Sequence, residues 1–151
     1  MLDQIETLNL LNDLEPVVEK ELNRHISIAK EWFPHDYIPW GDGRNFAHLG
    51  GQDWTPQEQR FSEAARTSLI INLLTEDNLP SYHHEIATIF GREGAWGEWV
   101  GRWTAEEGRH GIAIRDYLVV TRAVDPVALE QARMFHMQEG FQAIHPGMLA
   151  G

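Results

Sequence analysis

Apolar residues recur every three or four positions through most of this chain, the period of a helix buried on one face. Leu2, Ile5, Leu8, Leu11 and Leu14 form the first stripe. Pro16 is placed to start a second helix, which carries Val17, Val18, Leu22, Ile26 and Ile28 and ends near Trp32. The period disappears over residues 33–54, where two Pro, four Gly, two Trp and two His are mixed with Asp and Asn. This is a loop, too long for a simple connector and therefore expected to be packed or functional. Thr55-Pro56-Gln57-Glu58 reads as a capping box opening a helix through Phe61, Ala65, Leu69, Leu73 and Glu76. Pro80 must kink or end that helix, and residues 81–90 continue as a short one. Gly91 and Gly94 mark a turn, and Asp125 caps a last helix reaching about Gln138, with His145-Pro146-Gly147 as a closing loop. No segment alternates as a strand does, so the predicted class is all-α, a single helical domain over residues 1–151.

The stripe that follows Gly94 reads Trp96, Trp99, Trp103, Glu107, His110, Ile114, Tyr117, Thr121. Two ionisable residues therefore sit in the middle of an apolar face. Burying a carboxylate there costs several kcal/mol unless it is paired or metal-bound. Two readings stay open on the residues alone: a Glu–His hydrogen bond, or a metal held by both side chains, which share one helix face at this spacing. The spacing itself decides nothing. With eight His and fifteen Glu in 151 residues, about one Glu-x-x-His is expected by chance, and one is found. Glu76 falls on the stripe of its own helix, seven residues after Leu69, and reads equally as a buried residue or as a solvated one near the break. Gly97, Gly101, Gly108 and Gly111 each cost roughly 1 kcal/mol in a helix interior, which close helix approach or room for a ligand would explain.

Composition narrows the chemistry. The chain has no Cys, which excludes disulfides, thiolate metal sites and Cys nucleophiles and leaves a metal only O and N ligands. The net charge of −11 argues against nucleic acid or an anionic membrane as partner. No apolar run is long enough to span a bilayer and the first residues are not a signal peptide, so a cytoplasmic location is expected. His25 is four residues after Glu21 and reads as half of a surface ion pair. His35 and His48 read as loop residues. His83 and His84, about 100° apart on a helix, cannot both face one site and read as surface or supporting residues.

Three stretches resemble the soluble acyl-acyl carrier protein (acyl-ACP) desaturases of the plant-plastid and actinobacterial type. They are residues 32–39 (Trp-Phe-Pro-His-Asp-Tyr-Ile-Pro), 74–82 (Leu-Thr-Glu-Asp-Asn-Leu-Pro-Ser-Tyr) and 102–111 (Arg-Trp-Thr-Ala-Glu-Glu-Gly-Arg-His-Gly), and Val124-Asp125 with the helix that follows also fits. The resemblance implies the N-terminal half of a ferritin-like, di-iron four-helix bundle. It makes Glu76 a terminal iron ligand, Glu107 a bridging carboxylate and His110 the imidazole ligand. Thr75 would line the oxygen side. Trp103 would lie near the site, and Trp32 on an electron path toward the iron-ligating His. The implied activity is O2-dependent insertion of a cis double bond into an acyl chain held on acyl carrier protein, with electrons from a ferredoxin-type donor, in a homodimer. One departure matters. Such a centre takes a Glu from each of two helices and a Glu-x-x-His from each of two more, and the second set is not in this sequence. The chain is therefore expected to be the N-terminal part of a desaturase. The alternatives are two copies pairing to complete the centre, an inactive helical fragment, or a ferritin-like iron-binding protein. Docking of an acidic carrier protein would need local clustering of basic residues such as Arg60, Arg66, Arg102, Arg109 and Arg115.

Overall fold

Helices follow the apolar stripes closely, but three of the predicted boundaries move. The computed structural model describes residues 2–140, with side chains from residue 5 onward. Five α-helices account for the regular structure: α1 (Leu2–Ile28), α2 (Glu63–Asp77), α3 (Leu79–Phe90), α4 (Gly94–Val120) and α5 (Pro126–Glu139). There is no strand among the described residues, and no helix is long and apolar enough to cross a membrane. The residues expected to form a loop at 145–147 lie outside the described part. The chain divides into two compact units.

The first unit comprises the chain up to Glu31 and residues 82–106. Here the expected break at Pro16 does not occur: α1 runs through it and stops at Ile28 rather than near Trp32. Proline withholds the N–H that would bond the Asn12 carbonyl. Contacts on both sides of Pro16 offset that loss. The Trp96 indole donates to the Leu11 carbonyl at 2.9 Å, and the Ala95 amide donates to the Glu15 carboxylate at 2.9 Å. Beyond the proline, Leu22 is buried. Gly91 and Gly94, both at positive φ, make the turn from α3 to α4. A ladder of rings follows, Phe90 on Trp96 at 4.6 Å between centroids, then Trp96 to Trp99 at 6.1 Å and Trp99 to Trp103 at 6.3 Å.

The second unit comprises residues 32–81 and the chain from Glu107 on. Its core is Leu73 of α2, Leu118 of α4, Ala123, Val124, and Leu129 of α5. Leu73 and Leu118 are fully buried. The capping box at Thr55 forms, with Thr55 N–H donating to the Glu58 carboxylate at 3.1 Å, but it closes only a short 3-10 turn, Pro56–Glu58. The same carboxylate accepts from Arg122 at 2.9 Å and also pairs with Arg44. The α-helix therefore begins only after Ser62, whose hydroxyl accepts from the Ala65 amide at 3.2 Å. Arg122 explains why the long loop is ordered. Its guanidinium is buried, donates to the Gln52 carbonyl at 2.8 Å and lies 4.5 Å over the Phe46 ring, while Trp54 donates to its carbonyl at 2.9 Å. These bonds offset the strain of a non-glycine residue at φ 55°. The loop itself contains 3-10 turns at Pro34–Tyr37, Trp40–Asp42 and Ala47–Leu49 and no α-helix.

Candidate metal centre

Glu76 is in the last turn of α2, just before the helix stops at Asp77. Helix α2 ends there because Asn78 leaves helical geometry and Pro80, lacking an N–H, fits only the first turn of a new helix. Glu107 and His110 lie one turn apart on α4. The structure brings these three side chains together: each offers a donor atom, all within 4.8 Å of one another. His110 Nδ1 is 2.7 Å from a Glu107 oxygen and 3.6 Å from a Glu76 oxygen. The side chains are 25% (Glu76), 27% (Glu107) and 40% (His110) exposed, so a small ion or molecule reaches them. Glu76 thus resolves to the half-buried reading. At two of the glycines an added Cβ would reach a neighbour only at ordinary contact distance. A Cβ on Gly111 would stand 3.5 Å from Glu76 Cβ, and one on Gly108 would stand 3.7 Å from Leu79, whereas Gly101 faces open space. An open cleft of about 350 Å³ runs past Glu76, Glu107, Gly108 and Gly111.

Electrostatics favour a cation here. Partial burial raises the Glu76 carboxyl above its ordinary value; His110 opposes the shift and the neighbouring Glu107 charge adds to it. Two carboxylates therefore compete for one imidazole. A hard or borderline cation among two oxygens and a nitrogen would relieve both the burial and the mutual repulsion, and this donor set suits iron or manganese. The residues fit such an ion.

Trp32 stacks on His110, with centroids 5.6 Å apart and planes 10° from parallel. Arg109 also holds Trp32, its guanidinium 5.0 Å from the ring and donating to the Trp32 carbonyl at 3.0 Å. Trp32 thus covers one face of the imidazole. Thr75 is exposed, and its hydroxyl donates to the Ile71 carbonyl at 3.0 Å, inside its own helix. Trp103 belongs to the first unit, in the ring ladder. His25 does not pair with Glu21 as expected; it bonds Glu106 at 3.0 Å, because Glu21 is taken by Arg24. His83 bonds the Thr104 hydroxyl at 2.8 Å. Of the five arginines whose clustering carrier docking would need, Arg102 pairs with Glu106, Arg109 with Trp32, and Arg115 with Asp116 and Glu130. Four residues beside the site escaped the sequence reading: Asp77, Asn78, Arg133 and His136. Arg133 and His136 are one turn apart on α5, but nothing in the sequence places that face against the end of α2.

Residues 6–147 match the family described as "Fatty acid desaturase". Over 138 residues the chain is 62% identical to DesA1 of Mycobacterium tuberculosis, named as an acyl-ACP desaturase, which covers 91% of this chain and 41% of that protein. It is 27% identical over 150 residues to the chloroplastic stearoyl-ACP 9-desaturase of Spinacia oleracea, covering 89% and 36%. The X-ray structure of DesA2 from M. tuberculosis, also named as an acyl-ACP desaturase, superposes with a TM-score of 0.62 at 43% identity, covering 83% of this chain and 46% of that one. The chain spans less than half the length of these relatives. All-helical among its described residues, with a ferritin-like fold, and matched over nearly its whole length, this chain belongs to the fatty acid desaturase family.

Proposed function

We propose that this chain is part of an acyl-ACP desaturase and that Glu76, Glu107 and His110 are half of its di-iron ligand set. The observation that carries the proposal is the convergence of these three donors within 4.8 Å in a chain whose relatives are named acyl-ACP desaturases. The family match running through both units supports reading them as one ferritin-like domain. Iron bound here supplies the redox chemistry with O2 that an unactivated C–H bond requires. The chain's own residues bind and orient. Glu76 and Glu107 offer carboxylate oxygens from two different helices, and His110 offers Nδ1, the atom already turned toward both carboxylates. Trp32 keeps water from one face of His110, is held there by Arg109, and is the residue through which electrons from a ferredoxin-type donor would reach the site. Thr75 and Trp103 are assigned supporting places on the same reading. Acyl carrier protein is the proposed substrate carrier, the cytoplasm the proposed location and a homodimer the proposed assembly.

A complete centre of this type needs four Glu and two His, and the described residues supply two Glu and one His. The test is iron content per chain after anaerobic Fe(II) loading, with the absorption of the ferric form and sedimentation of the same samples. Iron bound by the wild type and absent from a Glu76→Ala, Glu107→Ala, His110→Ala triple variant supports the site. Equal iron in both sinks it. About two irons per dimer supports completion of the centre by a second copy, and an iron-loaded monomer rejects that pairing.

A further inference from the structure

Helix α5 carries no ligand, yet one of its faces grips the chain immediately after Glu76. Arg133 makes a two-pronged ion pair with Asp77, Nε to Oδ2 at 2.6 Å and Nη2 to Oδ1 at 2.8 Å. Its remaining nitrogen is held by both oxygens of Glu130 at 2.9 Å, so the guanidinium is oriented from two sides. One turn further along, the His136 Nε2 is 2.6 Å from the Asn78 side-chain amide. At the end of α5, Gly140 lies so close to Ser81 that a Cβ there would stand 3.2 Å from its hydroxyl. Asp77 and Asn78 are nearly buried, with 8% of the side chain and 5% of the residue exposed.

This grip is placed where the backbone most needs it. Among the described residues Glu76 has no ion pair other than with His110, and the helix that carries it ends at the next residue. In the last turn of a helix the carbonyls lose their regular partners, and here the Asn78 N–H alone reaches back to the Thr75 and Glu76 carbonyls, so ties from outside help hold the turn. The side chains one and two positions after Glu76 are the ones tied down. We infer that Arg133 and His136 are positioning residues that act through Asp77 and Asn78 to set where the Glu76 carboxylate meets Glu107 and His110. The inference rests on the metal-site reading above for its consequence, although the grip itself is independent of any metal.

The test uses the 151-residue chain, with Co(II) as the probe, and three variants: Arg133→Met, Arg133→Lys and Leu129→Ala. Leu129 is buried on the same helix but takes no part in the grip. Two quantities are measured below the melting temperature of every variant: amide exchange at residues 76–78 in the metal-free chain, and Co(II) affinity with its visible absorption bands. The expected result for Arg133→Met is at least about tenfold faster exchange at 76–78, affinity lower by roughly 10- to 100-fold, and altered cobalt bands. Arg133→Lys recovers part of the affinity, and Leu129→Ala melts earlier while binding cobalt as the wild type does. Unchanged affinity and bands in Arg133→Met overturn the inference, and so does an equal loss of affinity in Leu129→Ala, which would mean that affinity merely tracks stability. A wild type that binds no cobalt ends the metal reading and with it any ligand for α5 to position. The exchange rates then still decide whether α5 holds the turn.

Discussion

Glu106 and Glu107 are neighbours on α4, and each bonds a histidine, yet the two pairs do opposite things. In the first unit, Glu106 accepts from Arg102 at 2.6 Å and bonds His25 at 3.0 Å. Its carboxyl is held below the ordinary value by the His25 bond, with burial opposing and Arg102 assisting. In the second unit, Glu107 shares a single His110 with Glu76, and no guanidinium bonds either carboxylate among the described residues. The Glu76 carboxyl is pushed up, by burial first. Adding one arginine makes a Glu–His pair a charge-balanced contact. Adding a second carboxylate instead makes it a site short of positive charge. Two adjacent residues of one type, on one helix, thus differ in charge balance because of what the rest of the fold brings to each.

The largest expected effect separates the two directly. Glu107→Ala or His110→Ala should lower Co(II) affinity by more than about 100-fold, beyond what losing a supporting residue costs, while Glu106→Ala stays within about twofold. Isothermal titration of the three variants decides it, and comparable losses in all three would erase the distinction.

The pH dependence of stability should have opposite signs at the two sites. Glu106 has a lowered folded value, so its contribution is present above the ordinary value of 4.5 and is lost as pH falls below it. Glu106→Gln should therefore lower the melting temperature at pH 7 by a few degrees at most, the effect of a screened pair, and the difference should vanish in acid. Glu76 has a raised folded value, so its ionised form weighs against folding above 4.5. Glu76→Gln should raise the melting temperature of the metal-free chain at pH 7, with the gain disappearing as pH falls below 4.5. Thermal melts at pH 7 and pH 3.5 would show it, and a destabilised Glu76→Gln at pH 7 would contradict the unbalanced-site account.

The smallest effect concerns the glycines. A Cβ at Gly101 meets nothing within 4 Å, and one at Gly111 reaches Glu76 Cβ only at ordinary contact distance. Gly101→Ala should stabilise the chain by about 0.5–1 kcal/mol through helix propensity alone. Gly111→Leu should do the opposite and reduce cobalt binding, because its larger side chain must push α2 away from α4. Equal behaviour of the two would mean that α2 and α4 do not need their close approach.

Much of the helical frame was legible in the stripes. The turn at Gly91 and Gly94, the helix end before Pro80 and the Asp125 cap all stand where local chemistry places them. Three boundaries were not: the helix end expected near Trp32 falls at Ile28, and the other two have identifiable reasons. Pro16 stays inside α1 because Trp96 and Ala95 bond the turn before it, and Thr55 opens only a short turn because Arg122 and Arg44 claim Glu58. In both of these cases a partner about 60 or more residues away outweighs the local signal, about 1 kcal/mol for a cap and about 3 kcal/mol for a proline inside a helix.

By itself the sequence determined the class, the helical faces and that Glu107 and His110 share one face, because one turn of helix sets that spacing whatever else happens. It also left Glu76 undecided between core and solvent. Only the tertiary structure brought α2 against α4 so that Glu76 meets the pair, stacked Trp32 on His110, and set Arg133 and His136 on the residues after Glu76. The physical reason is the same each time: helix period is a local property, readable from i to i+4, whereas the charge balance of a site depends on which helices pack together.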